Sequence, residues 1–244
     1  MVLTVIVPIL LLLLCGYGCV RSQMVSTVQI QALSAFVIKV ALPALLFYAL
    51  ANKTLTEIWH PAYFVAYGGA SILLYLSAFF LCRYFFKENL THSAVLAMGG
   101  SMSNTGFMGT AILTLLLGQH ATVYISLTLM IENLLILTLM LTFAEAGLGQ
   151  KQQLGTLLWQ TLKKLLKNPV ILAVILGMGC TIFNIRLFAP FNQALMMIGH
   201  TASPLALFVI GGSLVGLNLQ SLNKMGWILV LFKTVLMPFA VFIL

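Results

Sequence analysis

Long apolar segments separated by short polar loops dominate this sequence. We place eight such segments near residues 2–20, 33–51, 62–86, 92–117, 120–144, 169–185, 192–217 and 225–244. A helix needs about 20 residues to cross the ~30 Å hydrocarbon core of a bilayer. Strands of a membrane barrel would alternate apolar and polar residues over roughly ten positions, and these segments do not alternate. The pattern therefore predicts eight transmembrane helices, numbered here as spans 1 to 8.

The composition supports the same fold class. Hydrophobic residues make up 61% of the 244 positions and charged residues only 7%, whereas soluble domains carry about 25% charged residues. In lipid the backbone must satisfy its hydrogen bonds internally, which a helix does. The net charge of +8 comes from basic residues scattered through short loops, so we expect no nucleic-acid partner. The sequence predicts an all-α integral membrane protein.

The distribution of Lys and Arg predicts the orientation of the chain. Loops after odd-numbered spans hold eight basic residues, namely Arg21, Arg83, Lys87, Lys151, Lys163, Lys164, Lys167 and Lys224. Loops after even-numbered spans hold two, Lys53 and Arg186. Basic loops stay on the cytoplasmic side. We therefore expect a multi-pass protein with its N-terminus outside.

An internal repeat predicts the domain organisation. A constant shift of 161 residues aligns Pro8, Gly16, Gly18, Cys19, Ala41, Pro43, Leu46 and Phe47 with Pro169, Gly177, Gly179, Cys180, Ala202, Pro204, Leu207 and Phe208. Five spans separate equivalent helices, so the copies have opposite topology, as in many secondary transporters. We expect a first inverted repeat over 1–150 (helices 1–5), a cytoplasmic loop over 151–168 and an incomplete second repeat over 169–244 (helices 6–8). Counterparts of residues 84–150 are missing, so eight of ten expected helices are present and the chain is expected to be C-terminally truncated.

Span 4 carries an unusual cluster of small and polar residues between Met98 and Gly109. Glycine weakens a helix, and Ser, Asn and Thr can satisfy freed backbone groups. The cluster predicts a broken helix whose second half directs N–H groups at an anion; the alternative is a small-residue packing interface. The expected substrate-binding residues here are Ser101, Ser103, Asn104, Thr105 and Gly106.

Two charged positions lie at comparable depth in other spans. Glu132, followed by Asn133, lies near the middle of span 5, and Lys233 lies near the middle of span 8. Charged groups at this depth are costly and usually face a cavity or a partner. Glu132 is either a proton carrier or a helix-to-helix hydrogen-bond partner. Lys233 is expected to attract the anion or to pair with Glu132, and all three residues complete the predicted site.

The sequence contains no enzyme motif that we recognise. It lacks H-E-x-x-H, G-x-S-x-G and Walker A patterns, and it has no acidic pair at metal-ligand spacing. We therefore expect no catalysis, no cofactor and no bound metal.

Four stretches carry a resemblance to a known family: residues 41–47 (ALPALLF), 103–109 (SNTGFMG), 168–172 (NPVIL) and 232–238 (FKTVLMP). Together they resemble the auxin efflux carrier family, which includes plant PIN carriers and bacterial permeases often named for malate or malonate. The resemblance implies ten helices in two inverted repeats and a location in the bacterial inner membrane. It also implies a scaffold of spans 1, 2, 6 and 7, often dimeric, with the other helices forming a moving, elevator-like transport domain.

The resemblance also implies that helices 4 and 9 break and cross at the substrate. Plant carriers usually have a proline beside the asparagine of the first crossover, where this chain has Ser103. The second crossover would lie beyond Leu244. The expected function is transport of a small carboxylate, with a second copy of the chain in a homodimer and a coupled proton or sodium ion as candidate partners. The alternatives are a cation/proton antiporter of similar architecture and a non-transporting, truncated relic.

Overall fold

The structure is all-helical in the part of the chain that it describes. This computed structural model describes residues 2–58, 60–118, 121–147, 159, 163, 166–217 and 224–243. The α-helices are α1 (Val2–Arg21), α2 (Thr27–Phe36), α3 (Leu42–Ala51), α4 (Leu55–Ile58), α5 (Pro61–Phe80), α6 (Leu90–Ser101), α7 (Thr110–Leu117), α8 (Ala121–Ile131), α9 (Leu137–Gly147), α10 (Pro169–Ile182), α11 (Ala189–His200), α12 (Ala202–Ser213), α13 (Lys224–Leu231) and α14 (Met237–Ile243).

Several helices join into longer apolar rods. Five of these are long and apolar enough to cross a membrane: Thr27–Ala51, Leu55–Phe85, Val123–Gly147, Ala189–Ser213 and Lys224–Ile243. They correspond to predicted spans 2, 3, 5, 7 and 8. Spans 1 and 6 appear as the shorter apolar helices Ile6–Arg21 and Pro169–Ile182, and span 4 is divided into two short helices. The prediction of an all-α membrane protein is confirmed, whereas the count of eight spans stays a prediction.

The second rod begins earlier than its hydrophobic pattern predicts. We expected it to begin near residue 33, but α2 begins at Thr27. The Ser26 hydroxyl accepts a hydrogen bond from the Gln29 backbone N–H at 3.3 Å, and the Gln29 side chain accepts one from the Ser26 N–H at 2.8 Å. This capping box satisfies two backbone donors, so polar residues outside the apolar pattern extend the helix.

Short π-helical turns interrupt the rods, and sequence periodicity does not predict them. They cover Val37–Ala41, Leu81–Phe85, Thr105–Gly109, Glu132–Ile136 and Phe232–Leu236. The first and last of these each end two residues before a proline, Pro43 and Pro238. Because proline has no backbone N–H, the regular hydrogen-bond ladder is already broken there. Before Pro43 the helix therefore widens into a π-helical turn.

The described chain forms two compact units that interleave along the sequence. The first comprises Met1–Trp59, Asn104–Leu127 and Pro169–Asn218, and the second comprises His60–Ser103, Thr128–Asn168 and Leu219–Leu244. These units differ from the predicted repeats, because the repeats follow sequence similarity while the units follow contacts. Most of the predicted loop 151–168 lies outside the described residues, and the division into repeats stays a prediction.

Glycines allow close helix packing in the first unit. A Cβ placed on Gly16 of α1 would lie 2.0 Å from the Phe208 carbonyl oxygen of α12. A Cβ on Gly177 of α10 would lie 3.3 Å from the Phe47 carbonyl oxygen of α3 and closer still, at 2.8 Å, to Leu50 Cβ. The 161-residue shift relates Gly16 to Gly177 and Phe208 to Phe47. The first helix of each predicted repeat therefore packs on the second helix of the other.

Aromatic side chains form the core of the second unit. Phe79 of α5 and Phe143 of α9 stack with their ring centroids 4.8 Å apart, and Tyr75 is fully buried beside them. Gly100 of α6 lies against Leu229 of α13 and so brings that helix into the same core. These contacts fix the end of α6 and the helix that carries Glu132 within one compact unit.

Candidate functional site

Span 4 is interrupted at three residues, and this interruption organises the candidate site. Helix α6 ends at Ser101, and Met102 to Asn104 have no helical geometry. The chain resumes as a π-helical turn at Thr105 and continues into α7. The Gly109 backbone N–H donates to the Asn104 carbonyl at 2.9 Å, which closes the first turn of the second half. The predicted break therefore lies within the polar cluster.

The residues that follow the break belong to the first unit. The Asn104 side chain is exposed, Thr105 is buried and Gly106 is half-buried. The Thr110 hydroxyl donates to the Thr105 carbonyl at 2.7 Å and so supports the wide turn. These contacts leave the Asn104 side chain on the surface of its own unit, beside the start of a helical segment.

The second unit holds Glu132 within a buried hydrogen-bonded cluster. Its side chain is 0% exposed. Oε1 accepts hydrogen bonds from the Ser103 backbone N–H at 2.8 Å, from the Ser103 hydroxyl at 2.6 Å and from the Tyr67 hydroxyl at 2.7 Å. The carboxyl group thus accepts a hydrogen bond from a backbone N–H that has no helical partner because span 4 is interrupted there. Glu132 and the broken helix, predicted separately from the sequence, meet at Ser103.

Three other predicted residues of the second unit have different surroundings. The Ser101 hydroxyl donates to the Ala97 carbonyl at 2.9 Å, and the Asn133 side-chain amide donates to the Leu129 carbonyl at 2.7 Å. Both contacts lie within the residue's own helix. Lys233 is half-buried in the π-helical turn Phe232–Leu236.

Lys233 lies in a turn that packs against α5 and α6, in the same unit as Glu132. Among the described residues, however, the ion pairs are Lys53 with Glu57 and His92 with Glu88. The contact between Lys233 and Glu132 that we considered is therefore not a direct salt bridge in this structure.

Sequence reasoning missed Tyr67, which belongs to the Glu132 cluster. Besides donating to Glu132, its hydroxyl lies 3.2 Å from the Ser103 hydroxyl. Tyr63, one turn earlier, stacks on Tyr67 with ring centroids 5.7 Å apart and hydrogen-bonds Thr128. Two tyrosines spaced by four residues within span 3 were a usable signal, because a buried tyrosine hydroxyl usually has a polar partner.

The first unit contains a separate cavity of about 430 Å³. It is lined by the end of α3, the end of α7 and the junction between α11 and α12. Its polar lining comes from Tyr48, Asn52, Lys53, Thr114, His200 and Ser203. The Lys53 ammonium group already pairs with Glu57 at 2.9 Å. No residue of the predicted site lines this cavity.

Comparisons with known proteins identify the family. A family model described as membrane transport protein matches residues 1–244. The chain is 22% identical over 182 residues to a protein of Rhizobium meliloti (strain 1021) named "Putative malonate transporter", covering 75% of this chain and 57% of that protein. It is 24% identical over 241 residues to the "Uncharacterized transporter YfdV" of Escherichia coli (strain K12), covering 96% of this chain and 75% of that protein. The chain thus spans little more than half the length of the first relative. Since the match extends over every residue, this multi-pass membrane chain belongs to the membrane transport protein family, the auxin efflux carrier family that its motifs resemble.

Proposed function

We propose that this chain is a secondary transporter of a small organic anion, a carboxylate such as malonate or malate. The observation that carries the proposal is the interruption of span 4 at Met102–Asn104. It places the start of a helical segment partway along an apolar span, in a protein of a transporter family.

The chemistry of the break favours a negatively charged substrate. The first N–H groups of a helix have no acceptor within that helix, and the helix dipole makes this end positive. Backbone N–H groups together with a positive dipole bind carboxylates and phosphates. We therefore propose that Asn104, Thr105 and Gly106 bind the carboxylate, with Ser101 and Ser103 as additional polar groups. Glu132, Asn133 and Lys233 complete the proposed set.

The choice of a short carboxylate draws on the relatives. One of them carries malonate in its name, and bacterial permeases of the resembling family are often named for malate or malonate. A lysine near the middle of an apolar span is costly in lipid. Attraction of a doubly charged anion would explain why Lys233 is present at such a position.

We also propose that transport is of the elevator type. We take the helices outside the implied scaffold, spans 3, 4, 5 and 8, as the moving part, and they carry Glu132 with its hydrogen-bond partners Ser103 and Tyr67. The first unit contains spans 1, 2, 6 and 7, which the family resemblance implies to be the scaffold. A homodimer through that scaffold follows from the same resemblance.

The proposal is tested with the 244-residue chain in proteoliposomes. We expect saturable binding and uptake of radiolabelled malonate or malate, and a loss of at least about tenfold in Asn104→Leu, equivalent to about 1.4 kcal/mol of binding. The matched control is Asn192→Leu, which makes the same change in α11, where Asn192 hydrogen-bonds Asn52. Unchanged binding and uptake in a folded Asn104→Leu protein would remove Asn104 from the site. Absence of saturable binding with any carboxylate would refute the anion proposal.

A further inference from the structure

The hydrogen bonds of Glu132 all fall on one of its two carboxyl oxygens. Oε1 accepts three, two from Ser103 and one from Tyr67. Oε2 is buried and has no hydrogen-bond partner among the described residues. An ionised oxygen buried without a donor is strongly unfavourable. The asymmetry is therefore a feature of the site that needs a chemical explanation.

We infer that Oε2 of Glu132 is the binding site of a coupled proton. In the loaded state an O–H bond forms between Oε2 and a proton taken from water, while Oε1 keeps its three donors. In the unloaded state that bond breaks and the proton returns to water, with no change in electron count. The inference deepens the proposed function and rests on it, because a coupled proton needs a transported substrate.

A proton fits this site better than a metal ion does. Hard metal cations require several oxygen ligands at once, whereas a proton requires a single oxygen. Oε2 receives no hydrogen bond from the described residues. Among those residues, no group of three or more His, Cys, Asp or Glu side chains could hold a metal ion. The surroundings of Oε2 therefore supply one ligand and no cage.

The groups that face Glu132 determine how the proton and the substrate affect each other. Tyr67 and, one turn away, Tyr63 belong to α5. Lys233 lies in the turn that joins α13 to α14, and Glu145 lies farther along the helix that contains Glu132. Lys233 is the positively charged group of this set, and it makes no ion pair with Glu132.

Glu132 is hydrogen-bonded to Ser103, the residue next to Asn104 of the proposed anion site. An anion bound there would repel ionised Glu132, and a proton on Glu132 removes this repulsion, so the anion and the proton each favour the binding of the other. Mutual favouring of this kind corresponds to cotransport of the anion and a proton in the same direction, whereas exchange would require the two to compete.

The small number of acidic side chains allows a direct test by infrared spectroscopy. The chain has four acidic residues, Glu57, Glu88, Glu132 and Glu145. In reconstituted wild-type protein we expect a buried protonated-carboxyl band that disappears as the pH rises. The band should be missing in Glu132→Gln and retained in Glu88→Gln, the matched control at a partly exposed acid that pairs with His92. The amide oxygen introduced by Glu132→Gln can still accept the three donors, so this variant is expected to fold; a melting curve checks this.

A second measurement links the proton to the substrate. When malonate is added in weakly buffered medium, the wild-type protein and Glu88→Gln should take up protons from the medium. Glu132→Gln should take up none. Malonate binding without proton uptake would overturn the inference while the proposed function stands. A titrating Glu132 band without binding of any carboxylate would leave the proton site in place and refute the substrate proposal. Loss of the band on addition of sodium at constant pH would overturn the assignment of a proton to Oε2 and indicate that a metal cation binds there.

Discussion

At the scale of single residues, two tyrosines near Glu132 have different roles: Tyr67 donates a hydrogen bond to its carboxyl group, and Tyr63 only packs on Tyr67. Tyr67 donates to Oε1 at 2.7 Å and also contacts the Ser103 hydroxyl. Tyr63 stacks on Tyr67, but its own hydroxyl hydrogen-bonds Thr128. The two tyrosines share a helix and a chemistry and lie one turn apart, so they form a matched pair for mutagenesis.

We expect Tyr67→Phe to weaken the cluster more than Tyr63→Phe does. A hydrogen bond to a charged group contributes about 1.5–3 kcal/mol, so removal of the Tyr67 hydroxyl should lower the free energy of unfolding by about that amount, and by more than removal of the Tyr63 hydroxyl does. The measurement is the unfolding of both variants and the wild type in detergent. Equal effects of the two substitutions would show that the Tyr67 hydroxyl has no special role.

At the scale of elements, the first unit is built on two equivalent helix pairs with glycines at their contacts. Gly16 and Gly177 face backbone or Cβ atoms of the partner helix, whereas Cβ atoms on Gly18 and Gly179 would meet nothing within 4 Å. Each pair of glycines lies on one helix, two residues apart, and the 161-residue shift relates the pairs. The contact between helices, rather than helix propensity, thus explains one glycine of each pair.

We expect Gly16→Ala and Gly177→Ala to destabilise the protein, with the larger effect at Gly16. Overpacking a close contact costs typically about 1–3 kcal/mol, and the contact at Gly16 is the tighter one. Gly18→Ala and Gly179→Ala are the controls, and each should be neutral or stabilising because alanine favours a helix by about 1 kcal/mol over glycine. Thermal unfolding in detergent measures all four. Equal melting temperatures would contradict the packing argument.

At the scale of the whole molecule, loop charge predicts how the chain lies in the membrane. Eight basic residues follow the odd-numbered spans and two follow the even-numbered ones. The asymmetry of Lys and Arg in short loops sets orientation during insertion. The loop after span 1 is therefore expected in the cytoplasm, and the loop after span 6 outside.

Cysteine labelling in cells tests this orientation. In a background without the four native cysteines, Ser22→Cys and Ile185→Cys place single thiols at exposed positions after α1 and α10. We expect a membrane-impermeant maleimide to label the Ile185→Cys variant in intact cells and the Ser22→Cys variant only after permeabilisation. The reverse pattern would invert the predicted topology, and labelling of both in intact cells would contradict the span assignment between them.

The position of the break in span 4 and the identity of Glu132 as a special residue could be predicted from the sequence, because both depend on local composition. A cluster of Gly, Ser, Asn and Thr is conspicuous within an apolar span, and so is one acid near the middle of another. The helix limits were less accurate. The capping box at Ser26 and the π-helical turns depend on individual hydrogen bonds that hydropathy does not record.

The sequence by itself determined that this protein is helical and lies in a membrane, because long apolar helices satisfy the backbone in lipid. The tertiary structure alone decided which groups meet. Tyr67 and Glu132 are 65 residues apart, and Ser103 and Glu132 are 29 apart. It also placed all three donors on Oε1 and left Oε2 without a partner among the described residues. Such contacts depend on the packing of spans distant in the sequence, and no local pattern of residues specifies them.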